Sequence, residues 1–89
     1  MKNMIIKQDT TTHSGMSACL SYTLFSSPTD RNTNSYGVTV TNELTGETAT
    51  ISDITESLDS SEQLFDRLLT GCVTPLCLKE VVEDFVAEI

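Results

Sequence analysis

The chain has 89 residues, 38% of them hydrophobic and 20% charged, with no tryptophan and a formal net charge of −8. That length suits one small domain, and the composition is that of a folded chain rather than a disordered one. A protein this anionic is repelled by phosphate backbones and by anionic lipid, so direct nucleic-acid binding and membrane-surface binding are not expected.

The chain opens "MKNMIIKQDT". Its run of three adjacent apolar residues is too short for a signal-peptide core, and no stretch reaches the length of a membrane span. The expected compartment is the cytoplasm, where three cysteines, an odd number, suit reduced thiols rather than a disulfide framework.

The whole chain, 1–89, reads as a single domain. Residues 1–14 form an arm with a weak, short strand over 3–9, and "HSG" at 13–15 is a turn signal. Residues 15–54 read as a β-meander. In "MSACLSYTLF", Met16, Ala18, Leu20, Tyr22 and Leu24 alternate onto one face, while Cys19 and Phe25 fall on the other, which predicts some cover there too. "SSPTDRNTN" at 26–34 is composed of turn formers and predicts a loop. In "SYGVTVTNEL", Tyr36, Val38 and Val40 share a face, and "TG" at 45–46 marks the next hairpin. "ETATISDI" then directs Ala49 and Ile51 to the same side.

From residue 55 the apolar period becomes helical. "DSSEQLFDRLLTG" places Leu64, Phe65, Leu68, Leu69 and Cys72 in one arc, with Asp59 or Ser60 as cap and Gly71 as the left-handed stop. Arg67 falls toward the end of this helix, where the dipole favours a cation. Thr74-Pro75 predicts the cap and first position of a second helix, with Leu78, Val81, Val82, Phe85, Val86 and Ile89 on one stripe. The fold class expected is α+β: an antiparallel meander of three to four strands followed by a C-terminal helical hairpin packed on one sheet face.

No arrangement of residues indicates chemistry. Cys19, Cys72, Cys77 and His13 are potential zinc ligands, but four residues separate Cys72 from Cys77 and no second close pair exists. "DITESLDSSEQL" mimics the start of a calcium loop, yet Leu58 and Leu64 stand where glycine and glutamate belong. Cys77 lies in the first turn of the second helix, where the dipole would favour its thiolate and Glu80 would oppose it. Glycine-rich phosphate loops and dinucleotide fingerprints are missing from the sequence. A non-enzymatic protein without catalytic residues, metal or cofactor is the expectation.

The acidic charge, by contrast, is concentrated. Residues 43–89 hold eleven acids against Arg67 and Lys79, while residues 1–42 hold Lys2, Lys7 and Arg31 against Asp9 and Asp30. On the second helix Glu80, Asp84 and Glu88 repeat at i, i+4, and each like-charged pair costs about 0.2–0.5 kcal/mol on an isolated helix. Asp84 and Glu88 also approach the negative end of the dipole. Such a breach of local rules points to an external partner. Glu80, Glu83, Asp84 and Glu88 are therefore the candidate partner surface, and a protein with a basic surface is the candidate partner.

The segments "SYGVTVT", "ATISDIT", "LFDRLL" and "VTPLCLKEVVEDFV" resemble a family of small Firmicute bacterial proteins classed as a domain of unknown function. The likeness spans residues 20–87 and is most specific in the tail, Val81-Val82-Glu83-Asp84-Phe85. Family members often carry histidine where this chain has Cys77, which puts a shared histidine site in doubt, and the polar stretch before Met16 also departs from the pattern. The resemblance implies a bacterial cytoplasmic origin and the strand-then-helix order, and it implies no activity. The expected function is an interaction module that docks a basic protein surface or self-associates as a homodimer through a sheet edge. The alternatives are an acidic inhibitor or nucleic-acid mimic, and a small thiol or zinc protein using Cys72 and Cys77.

Overall fold

The structure, a computed structural model, describes residues 4–13 and 18–88. Four strands, β1 (Met4–His13), β2 (Ala18–Pro28), β3 (Asn34–Asn42) and β4 (Thr48–Thr55), precede two helices, α1 (Leu58–Gly71) and α2 (Leu78–Glu88). The strands pair antiparallel in sequence order, β1-β2-β3-β4. The helices lie on one face of this meander, α1 over β2, β3 and β4, and α2 beside β4 and α1. This is the expected α+β architecture.

The alternation of the sequence sets the two faces. Leu20, Tyr22 and Leu24 of β2 and Val38 and Val40 of β3 are buried together beneath Leu64, Phe65 and Leu68 of α1 and Leu78, Val82 and Phe85 of α2. Ala49 and Ile51 of β4 pack against this core. Full burial of each large apolar side chain contributes about 1.5–3 kcal/mol, so the sheet–helix seam is the main source of stability. Met16 and Ile89, expected on these apolar faces, lie outside the described residues.

Several boundaries differ from expectation. β1 runs to His13 rather than stopping near residue 9, because its polar second half pairs with β2 in unbroken register from Lys7 to His13. His13 thus has its backbone in a strand rather than in a turn, while the rest of the expected turn lies beyond the described residues. The loop expected over 26–34 contracts to 29–33: Ser26, Ser27 and Pro28 continue β2 opposite Tyr36, Ser35 and Asn34. Pro28 is accommodated as the last residue of its strand. The remaining turn is closed by Thr29 N–H donating to Thr33 O at 2.9 Å, with Asn32 at φ 61°.

The helix ends differ too. Ser57, not Asp59 or Ser60, caps α1, its side chain accepting from Ser60 N–H at 3.2 Å. Gly71 is the last helical residue, and Cys72 takes the left-handed conformation at φ 52°. Thr74-Pro75 opens a tight turn instead of α2 itself: Cys77 N–H donates to Thr74 O and Leu78 N–H to Pro75 O, three residues back in each case. Regular α-helical bonding begins when Val81 N–H reaches Cys77 O.

Candidate interaction surface

α2 presents its acids as a direct result of its stripe. With Leu78, Val82 and Phe85 buried, Glu80, Glu83, Asp84 and Glu88 are all exposed. Glu80 lies in the first turn, where the dipole favours it. Asp84 and Glu88 have no such support.

The structure corrects one part of this picture. Glu88, expected to lack an internal partner, is held by Arg67 of α1, whose Nη1 donates to Glu88 Oε2 at 2.7 Å. The same guanidinium lies over the Phe85 ring, 5.1 Å from its centroid. Arg67 therefore clamps the end of α2 to α1 rather than serving the α1 dipole. Among the described residues, no ion pair holds Glu80, Glu83 or Asp84. The candidate surface narrows to these three.

The three cysteines differ in exposure. Cys77 is exposed, while Cys19 and Cys72 are half-buried. Cys72 Sγ contacts the Leu69 carbonyl at 3.9 Å. Among the described residues, no group of three or more histidine, cysteine, aspartate or glutamate side chains comes together as a metal site. No helix among them is long and apolar enough to cross a membrane.

Among the described residues, one titratable group is strongly perturbed. Tyr22 is fully buried and its hydroxyl donates to the Val73 carbonyl at 2.9 Å. Burial pushes its phenol up to about 12, the neighbouring Cys72 thiol adds to the effect, and the Thr11 hydroxyl opposes it. Thr11 Oγ1 is itself buried without a well-formed hydrogen bond. This group sits within the sheet–helix seam and acts as a structural tie.

Two features were not read from the sequence. The sheet face away from the helices carries two rows that cross all four strands. Gln8, Thr23, Thr39 and Thr50 stand in one register, and Thr10, Ser21, Thr41 and Thr48 in the next. Hydroxyl pairs link Thr39 to Thr50 at 3.0 Å and Thr41 to Thr48 at 3.1 Å. Alternating threonines were the available signal, but only the register shows that they align. The second feature is the pinning of the 29–33 turn: Arg31 and Thr33 both bond Glu56, just before α1. These partners are 25 and 23 residues apart in sequence, beyond any local pattern.

The model of the DUF6514 family, described as a family of unknown function, matches residues 1–88 and so takes in the polar N-terminal stretch as well. No curated protein and no solved structure matches the chain.

Proposed function

This chain belongs to the DUF6514 family of unknown function, and from that footing we propose that it is a non-enzymatic interaction module whose exposed α2 face docks a basic protein surface. The observation that carries this reading is the trio Glu80, Glu83 and Asp84: exposed, like-charged at i, i+4 between Glu80 and Asp84, and without an ion pair among the described residues. A cationic partner converts that repulsion into attraction, and an electrostatic contact of this kind governs association rate and salt sensitivity. The bacterial, cytoplasmic setting implied by the sequence resemblance belongs to this reading.

The test is affinity capture from the native host with wild type beside a Glu80→Lys, Asp84→Lys variant, at low and high salt. A basic protein should be retained by wild type at low salt and lost on charge reversal or on adding salt. Glu88 is left intact because Arg67 uses it. Retention of the same proteins by the reversed variant would sink the reading.

A further inference from the structure

We propose that β1 is a self-pairing edge through which two copies of this chain join antiparallel, with Gln8 opposite Gln8 of the second copy. The α2 reading plays no part in this proposal, which uses a different element.

The sheet order leaves β1 and β4 as edges. β4 is interrupted beyond Ile51, where its pairing with β3 shifts and Asp53 turns to φ 55°. β1 is the longer edge, ten residues against eight, and although it bulges at Ile6 it runs in unbroken register from Lys7 to His13. It also exposes Met4, Ile5 and Ile6, at 66%, 58% and 37%. An open edge with exposed apolar side chains is a template for another strand. Asp9 shows which backbone groups are available. Its Oδ1 accepts the Thr10 N–H at 2.8 Å, so that N–H faces the open edge rather than β2. Gln8, two residues earlier, has the same orientation by the alternation of a strand.

The charges choose both the occupant and the register. Residues directly opposite share a sheet face. A two-fold pairing that keeps both helix layers on one side therefore sets some residue of β1 against its own copy. Centring on Lys7 or on Asp9 would juxtapose like charges. Centring on Ile6 would overlap only residues 4–8, and centring on Thr10 would leave the apolar stretch uncovered. With Gln8 at the axis, Lys7 of each copy faces Asp9 of the other. Beyond the bulge at Ile6, Ile5 and Met4 then lie along Thr10 and Thr11 of the other copy. Lys7 already contacts Glu62 of α1 at 3.3 Å, and its ammonium has donors enough for both carboxylates. On pairing, the Thr10 N–H passes to the second copy and Asp9 is released to Lys7.

The test uses the full chain. Sedimentation velocity should show a concentration-dependent monomer–dimer equilibrium, and Asp9→Lys should weaken it about tenfold or more, since both symmetry-related pairs turn repulsive. In a Cys77→Ser background, Gln8→Cys should crosslink through a short bifunctional thiol reagent. Thr10→Cys should not, because its two copies would stand about 14 Å apart at the rise of a strand. A chain monomeric at every concentration, a dimer indifferent to Asp9→Lys, or crosslinking through Thr10→Cys in preference to Gln8→Cys would each overturn the proposal.

Discussion

Gly37 shows how a single residue fixes the sheet. A Cβ there would stand 2.6 Å from both the Ile51 carbonyl oxygen and Phe25 Cζ, and 2.9 Å from Ser52 Cα. Phe25 is the cross-strand partner of Gly37 and is buried on the face away from the helices, lying over the glycine. Beyond Ile51 the β4 backbone bulges toward the same spot. Two of the three obstacles are backbone atoms, so relief requires a shift of the strand. Gly37→Ala should destabilise the protein by about 1–3 kcal/mol in urea unfolding, with little change in the denaturant slope. Tyr22 makes a second prediction. Its phenol is pushed up to about 12 in the fold by burial, against an ordinary tyrosine value of 10.0. Between those values the native chain keeps a proton that the unfolded chain loses. Stability is thus fully present below pH 10 and falls as pH rises toward 12, with a limiting slope of about 1.4 kcal/mol per pH unit. Tyr22→Phe should flatten that part of the profile, measured by denaturant melts across the alkaline range, while lowering stability at neutral pH through loss of the Val73 bond.

At the scale of elements, the helical hairpin is held by its apolar seam and by Arg67. Arg67→Ala removes the ion pair to Glu88 and the cation over Phe85. The guanidinium and the Glu88 carboxylate are both exposed, so the expected cost is about 0.5–1.5 kcal/mol in thermal or urea unfolding, and Arg67→Lys should recover only part of it. This pair also explains what was legible in the sequence and what was not. The alternation of Leu20, Tyr22 and Leu24 and the stripe of Leu78, Val82 and Phe85 are local periodicities, and they located the core. Helix termini depend on competition among neighbouring polar groups. Ser57, Asp59 and Ser60 all suit a cap, and the backbone selected Ser57. Cys72 took a left-handed conformation where Gly71 was the natural candidate, since helical bonding continued one residue further. Glu80, Glu83 and Asp84 could be picked out as exposed acids from spacing alone. That Glu88 was already taken depends on how α1 and α2 lie together, which no local pattern encodes.

For the molecule as a whole, the charge of −8 is a self-repulsion that the fold only partly offsets. The ion pairs described, Lys7–Glu62, Arg31–Glu56 and Arg67–Glu88, are all exposed. Exposed pairs contribute little, whereas eleven acids stand in the second half against two basic residues. Moderate salt should therefore raise the melting temperature by screening repulsion more than attraction, and a fall would show that the pairs dominate. The bond from Tyr22 to Val73 bears on the order in which the chain assembles. Every strand pairs with its neighbour in sequence, so the sheet grows through short loop closures. The Tyr22–Val73 contact spans 51 residues and closes the helical hairpin back across the whole meander. The sheet is thus a sequence of cheap local steps, and the docking of the helices is the single long-range event that completes the fold.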